Sequence, residues 1–301
     1  TGCRLIVLDH NETGIFDLVH ELGGEITVFP LIGDIRCGGR LKALLNECRP
    51  DFVYHAAAYK HVPLLEENPA EAFLTNVAGT LNLLEACRGV VGKVVFISTD
   101  KAVHPENVMG QTKKIGEVLI HSFAAAHPDI EASVVRFGNV LGSRGNVLEV
   151  WKAQLERGEP LTITDPAMKR YFMTTQEAVT LVIEVSLMAG NRRVYVLKMG
   201  EMLPIVELAR IFCEIQGYQL GRDVELRVTG KRAGEKMMES LWEEGERVEE
   251  TTHPRIWRVR PPEERGFSWD HIARQIRCLE QSILAGDTVD VREAMRKIVG
   301  D

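Results

Sequence analysis

The chain has 301 residues, 45% of them apolar and 26% charged, an ordinary balance for a globular protein with a large core. A net charge of −7 without a dense Lys/Arg stripe argues against a nucleic-acid partner, although a nucleotide anion needs only a few aimed cations and backbone N–H groups. Six scattered cysteines (Cys3, Cys37, Cys48, Cys87, Cys213, Cys278) form no C-x-x-C or Cys/His cluster, so reduced thiols, a cytoplasmic location and no metal are expected, and no apolar run approaches a membrane span.

Arg4–Asp9 is a short apolar run ending in an acid, and a helical pattern follows through Leu22. Glu25–Leu31 reads as the next strand and leads to Gly33-Asp34-Ile35-Arg36. Helix Leu41–Cys48, a Pro50-Asp51 break and strand Phe52–His55 come next. Apolar runs alternating with helical patterns predict an α/β fold with a doubly wound parallel sheet. Such a dinucleotide-binding fold opens with a strand, a Gly-x-x-Gly-x-x-Gly turn and a helix, and places an acid about twenty positions later. Asp9 matches that acid, so the first strand and glycine turn are expected to be missing. Thr1-Gly2 is no substitute, because a strand follows directly, and Gly138, Gly142 and Gly145 lie too late. In the 3-2-1-4-5 strand order the missing strand lies between Arg4–Asp9 and Phe52–His55, leaving two edges without ladder partners. The working protein is therefore expected to be longer.

After Phe52–His55, the small residues Ala56, Ala57 and Ala58 either let a flat ligand approach the backbone or form a tight turn, with Lys60 and His61 on the loop. Pro69–Arg88 is a long helix carrying Asn76. The apolar strand Val94–Ile97 then ends in Ser98-Thr99-Asp100-Lys101, a turn runs through Pro105 and Asn107, and a helical pattern places Met109 and Lys113 on one face. Hydroxyl, carboxylate and ammonium groups thus gather at the carboxyl end of a strand, the edge where open α/β sheets bind ligands.

Strand Ala132–Phe137 leads to Asn139, and Val147–Arg157 is a helix. Leu161–Ile163 is a short strand, Arg170–Thr174 precedes a helix through Met188, and strand Arg193–Met199 is expected to complete the sheet. A C-terminal lobe begins near Leu203 with helix Ile205–Gln216, strand Val224–Val228 and a basic, glycine-flanked loop, Gly230–Lys236. His253-Pro254 and Pro261-Pro262 are linker-like, and Trp269–Val299 reads as two helices around Gly286-Asp287. The expected organisation is a dinucleotide-binding domain over 1–202 (139–170 partly in the substrate lobe), a nucleotide-sugar lobe over 203–262 and a helical extension over 263–301.

The run Ser-Thr-Asp-Lys-Ala-Val-x-Pro-x-Asn-Val-Met-Gly-x-Thr-Lys, from Ser98 to Lys113, resembles the catalytic core of extended short-chain dehydrogenase/reductases. More narrowly it is similar to the UDP-N-acetylglucosamine 4,6-dehydratases of capsule and O-antigen polysaccharide biosynthesis. Met109, where most relatives carry Tyr, points to a branch usually built as large membrane-anchored proteins. The resemblance implies Asp100 as acid and Lys101 as base for the C5/C6 elimination, with Lys113 on the nicotinamide ribose. It also implies Asn139 at the nucleotide sugar, Arg232 and Glu235 on the uridine diphosphate and its ribose, and Asn76 as a buried strut. A homo-oligomer follows by the same analogy.

Asp9 would accept hydrogen bonds from the adenosine ribose, with Asp34 and Ile35 flanking the adenine. That favours NAD over NADP, although His10 and Asn11 leave NADP open. A thioether accepts no proton at neutral pH, so with Met109 the C4 proton goes to Asp100, to Lys113 or to a water relayed from Ser98 or Thr99, or else the chain is inactive. A plain Asp100–Lys101 salt bridge would shift both pKa values against their roles. The rival readings are a nucleotide-sugar C4 epimerase, which has no use for a C5/C6 acid/base pair, and a non-catalytic nucleotide-sugar-binding module.

Overall fold

The computed structural model describes residues 3–299 apart from 23, 25, 144, 189 and 261–267. The chain begins with β1 (Leu5–Asp9), α1 (Glu12–Leu22), β2 (Val28–Ile32), α2 (Gly38–Cys48), β3 (Phe52–His55) and α3 (Val62–Glu67). One long helical stretch follows, from α4 (Pro69–Ala72) through a π-helical segment, Phe73–Ala78, into α5 (Gly79–Cys87). Next come β4 (Lys93–Ile97), α6 (Val108–Ala126), β5 (Glu131–Arg136), β6 (Asn139–Leu141), α7 (Val147–Glu156), β7 (Leu161–Ile163), β8 (Lys169–Arg170), β9 (Phe172–Thr174), α8 (Thr175–Leu187) and β10 (Arg193–Leu197). The remainder is β11 (Leu203–Pro204), α9 (Ile205–Ile215), β12 (Leu226–Val228), β13 (Arg247–Glu250), β14 (Ile256–Arg260), α10 (Trp269–Ala285) and α11 (Val291–Val299).

The main sheet has the order β13-β14-β10-β5-β4-β3, in which β3, β4, β5 and β10 run parallel. Strand β10 does not complete it. The hairpin β13–β14 adds antiparallel to β10, with Val194 opposite Val259, and His253-Pro254 is the bend of that hairpin rather than a linker. Residues 247–260, assigned from sequence to the substrate lobe, therefore extend the main sheet. Pro261-Pro262, Thr1-Gly2 and Glu25 lie outside the described residues.

Strands β1 and β2 pair only with each other, in parallel, and stand apart from β3. The split falls where a strand paired to both β1 and β3 was expected. Phe52 and Tyr54 on β3 are exposed there, whereas the interior β4 is buried along most of its length.

Helices α5, α6, α10 and α11 cover one face of the main sheet. Phe123 of α6 meets Trp269 of α10 edge-on at 5.2 Å, and Ile272, Ile276, Met295 and Ile298 join the same core. Helix α6 is buried on nearly every side within the chain, with α10 and α11 packed against it. Helix α8 covers the opposite face through Leu181 and Val185. A smaller lobe packs α7, α9, β7 and β12 around Trp151 and Phe212. No helix among the described residues is long and apolar enough to cross a membrane.

Candidate active site

Strand β4 delivers the central stretch to the carboxyl edge of the sheet. Ser98 N–H donates to the Val135 carbonyl and Asp100 N–H to that of Phe137, so the chain stays registered to β5 as it leaves the sheet. One turn of 3-10 helix, Asp100–Ala102, follows, and the Thr99 hydroxyl caps it. Helix α6 starts at Asn107, whose side chain accepts from Gly110 N–H at 2.8 Å. Gly110 is required: a Cβ there would lie 2.3 Å from the Lys101 carbonyl oxygen, so only glycine lets the helix seat this close behind Lys101.

Asp100 is fully buried. Its Oδ1 accepts from Lys101 Nζ at 3.0 Å and from the Thr99 hydroxyl at 2.9 Å, while Oδ2 has no hydrogen-bond partner. A side chain at Gly138 would collide with that Oδ2 at 2.8 Å. Lys101 Nζ also donates to Asn139 Oδ1 at 3.2 Å. Asp100 and Lys101 thus do form an ion pair, the arrangement the sequence reading set against their roles. Having no exposed surface, Asp100 reaches the crevice only through Thr99 and Lys101.

Lys113 Nζ donates to the Ile97 carbonyl at 2.8 Å and sits 4.8 Å from the centre of the Phe96 ring. Burial outweighs the nearby Glu117 and brings its pKa down to about 8. The Ser98 hydroxyl is committed to Glu117 at 2.7 Å. Glu117 receives two hydrogen bonds from Arg136, at 2.8 and 2.7 Å, and Arg136 also binds Glu246 at 2.9 Å. Burial alone would raise the Glu117 carboxyl, but the Arg136 guanidinium overrides it and holds the pKa near 2. Asn76 is the expected strut: its side chain bonds both backbone groups of Tyr59 and the Thr112 hydroxyl, fixing the loop after β3 to α6.

Two adjoining crevices open along this edge. The larger, with a cavity volume of about 620 Å³, is lined by Ala56, Ala58, Lys60, Ser98, Thr99, Lys101, Met109, Lys113, Asn139, Arg232 and Glu235. The smaller, about 160 Å³, is lined by Asp9, Asp34, Ile35, Ala56, Ala57 and Ala58. Ala56 and Ala58 border both. Every catalytic, cofactor-binding and substrate-binding candidate named from the sequence except the sealed Asp100 therefore lines one crevice or the other. Met109 is almost wholly buried at the wall of the larger one. In the smaller, Asp9 Oδ1 accepts from Asn11 N–H and Asp34 Oδ1 from Arg36 N–H, so each carboxylate keeps acceptor capacity to spare.

The 230–239 loop closes the larger crevice. Asn107 Nδ2 donates to the Gly234 carbonyl at 2.9 Å, Lys236 Nζ to the Val103 carbonyl at 2.6 Å, and the Arg170 guanidinium to the carbonyls of Lys236 and Met237. Arg232 N–H donates to the Glu235 carboxylate at 3.0 Å. This loop also carries Glu239, which the sequence reading missed; it lines the crevice with one oxygen 3.8 Å from Lys101 Nζ. His61, at the start of α3, and Arg170 also border the crevice.

The groups fit a dinucleotide's two ends: a carboxylate at a strand tip for ribose hydroxyls, an alanine floor where a flat ring would lie, and a buried ammonium beside it. Among the described residues no cluster of His, Cys, Asp and Glu is arranged to hold a metal ion.

A family profile described as polysaccharide biosynthesis protein matches residues 2–261. The capsular polysaccharide biosynthesis protein CapD of Staphylococcus aureus is 43% identical over 260 residues, covering 85% of this chain and 43% of that protein. A UDP-glucose 4-epimerase of Rickettsia canadensis is 40% identical over 213 residues, covering 70% and 60%. An inverting UDP-N-acetylglucosamine 4,6-dehydratase of Campylobacter jejuni is 35% identical over 242 residues, covering 79% and 69%. The chain thus spans less than half the length of CapD.

Proposed function

The chain belongs to the polysaccharide biosynthesis protein family, and from that membership we propose that it carries the active site of a UDP-N-acetylglucosamine 4,6-dehydratase serving surface polysaccharide synthesis. The observation that carries the reading is the buried Asp100 carboxylate hydrogen-bonded to Lys101 at the floor of the crevice. An ammonium–carboxylate pair and an amine–carboxylic acid pair differ only by one proton moved along that hydrogen bond. The buried carboxylate and the lysine at the crevice wall thus stand as an acid and a base one hydrogen bond apart.

A nicotinamide dinucleotide, NAD or NADP, supplies the transient hydride acceptor when bound. Asp9, Ala56, Ala57, Ala58 and Lys113 would hold it, with Asp34 and Ile35 at the adenine and Lys60 at the mouth of the larger crevice. Asn139, Arg232 and Glu235 would hold the UDP-sugar. The C4 hydroxyl proton passes to the Thr99 hydroxyl, which in turn protonates Asp100 Oδ1 along the 2.9 Å bond; this route makes a tyrosine at position 109 unnecessary. Lys101, once its own proton has passed to a neighbouring carboxylate, takes the C5 proton as the free amine, and Asp100 returns its proton through Thr99 to the departing C6 hydroxyl, which leaves as water. Ser98 is no part of the relay, because its proton already serves Glu117.

The likeness to a UDP-glucose 4-epimerase favours a second reading, C4 epimerisation on the same scaffold. That reaction moves no proton at C5, so it gives the Asp100–Lys101 pair nothing to do. Incubating the full-length polypeptide with UDP-N-acetylglucosamine and following the product by mass spectrometry decides between them. Loss of one water supports the dehydratase, an epimerised sugar of unchanged mass the epimerase, and unchanged sugar with measurable binding a non-catalytic module.

A further inference from the structure

Glu239 is only 4% exposed, yet one of its carboxylate oxygens, Oε2, has no hydrogen-bond partner. It stands between two ammonium groups without bonding either: Oε1 is 3.8 Å from Lys101 Nζ and Oε2 is 3.7 Å from Lys236 Nζ. Lys236 is not free to move toward it, because its ammonium is anchored on the Val103 carbonyl. A buried carboxylate held just beyond bonding distance of a reactive lysine is costly to keep unless it has work to do.

We propose, resting on the dehydratase reading, that Glu239 is a positioning residue for Lys101, giving its ammonium a second anionic contact and accepting its proton so that the free amine faces C5. The need follows from proton accounting. At rest the site holds Asp100 carboxylate, Lys101 ammonium and Glu239 carboxylate. Once the C4 proton has reached Asp100, the lysine still carries a proton and has no lone pair for C5, and the neighbouring acceptor is now full. Transfer from Lys101 Nζ to Glu239 Oε1 breaks one N–H bond, forms one O–H bond and leaves the amine. Lys101 then removes the C5 proton while Asp100 protonates the leaving hydroxyl. After hydride returns to C6, Lys101 returns a proton to C5, recovers its own from Glu239 and restores the resting state. No external acid, base or oxidant is consumed.

Burial raises the Glu239 carboxyl above the ordinary range and Asp100 adds to the rise, against the opposing pull of Lys101, Arg170 and Lys236. This narrows the gap in proton affinity between the carboxylate and the lysine that it must relieve.

The test uses the full-length polypeptide with UDP-N-acetylglucosamine as substrate, comparing wild type, Glu239→Gln and Glu239→Asp. In Glu239→Gln, kcat is expected to fall about 100-fold, the scale of a lost proton acceptor, with KM and calorimetric substrate binding nearly unchanged. The acid limb of the wild-type kcat profile, to which ionisation of Glu239 contributes, should shift, and Glu239→Asp should restore part of kcat and of that limb. An unchanged kcat and acid limb in Glu239→Gln overturns the proposal while leaving the dehydratase reading intact. So does loss of substrate binding in parallel with kcat, which would make Glu239 a structural support. A wild type that releases no water overturns the dehydratase reading, and this proposal with it.

Discussion

The two crevices share a wall of small residues but are built on opposite principles. Behind the wall of the larger, charged groups are buried and committed: Asp100 to Lys101 and Thr99, and Glu117 to Arg136 and Ser98. In the smaller, Asp9 keeps 55% of its side chain exposed and spends one oxygen on a local turn. Their strands differ in the same way, since β4 lies inside a six-stranded sheet and β1 in an isolated pair. Moving protons requires pKa values away from their values in water, hence burial and a rigid frame. Recognising ribose hydroxyls requires only an acceptor at the right height, and a solvated carboxylate serves.

The contrast breaks most visibly at Lys101. Lys101→Ala is expected to lower the rate of water loss by about 10²–10⁴-fold, the range for removing a general base, while cofactor binding in the other crevice stays within a factor of about three, since no positioning contact is lost there. Measuring both in one protein is the point of the experiment. Normal turnover in this variant would remove Lys101 from the chemistry and leave the pair a structural one.

Rigidity of the frame is tested at Arg136, whose guanidinium forms ion pairs with both Glu117 and Glu246. Arg136→Met leaves two buried carboxylates unpaired and should cost about 3–5 kcal/mol of stability, read as a fall in Tm on the order of 10 °C. A change within experimental error would show that the network relaxes into water, and the contrast between a dry and a wet crevice would weaken.

How much of this could be read from the chain depends on how local each signal is. Strand β3 is found residue for residue where the sequence reading places it, because an apolar run bounded by Asp51 and three alanines is a self-contained signal. Helix α3 was invisible, since six residues are too few to display a period. Strand β13, Arg-Val-Glu-Glu, holds a single apolar residue, and pairing with β14 makes it a strand. The motif residues came through the resemblance; the ion partners did not. Glu117 lies one turn beyond Lys113 on α6, but its partner Arg136 is on β5, and Glu239 reaches Lys101 from the far end of the lobe. A side chain's neighbours across the fold decide its protonation, and nothing in its sequence neighbourhood announces them.

Acid should find the buried half first. His55, at the end of β3, is buried beside Phe96 of β4, and burial, helped by Lys113, lowers its pKa to about 3. The neutral ring's Nε2–H donates to the Thr80 hydroxyl, which itself donates to the Asn76 carbonyl. A histidine whose folded pKa is depressed binds its proton more readily when unfolded. Its contribution is therefore complete above the unfolded value near 6.5 and is lost as pH falls from there toward 3. At pH 5 the loss amounts to about 2 kcal/mol. Denaturant unfolding at pH 7 and pH 5 checks this, and His55→Gln should flatten the difference; an equally steep loss in the variant would assign the acid sensitivity elsewhere.

The smallest effect is expected in the open crevice. In Asp9→Asn the side-chain oxygen that bonds Asn11 N–H is retained, so the turn survives, but the negative charge is gone. A charge-assisted hydrogen bond to a ribose hydroxyl is worth about 1.5–3 kcal/mol when well formed, and solvent exposure of Asp9 places this case at the low end. NAD affinity should therefore drop about tenfold. NADP affinity should fall less or rise, because the 2′-phosphate no longer meets a like charge. Titrating both dinucleotides into the full-length wild type and variant gives the ratio directly. Equal losses for the two would mean that Asp9 supports the loop without reading the ribose, and the preference between cofactors would then have to come from His10 or Asn11 beside it.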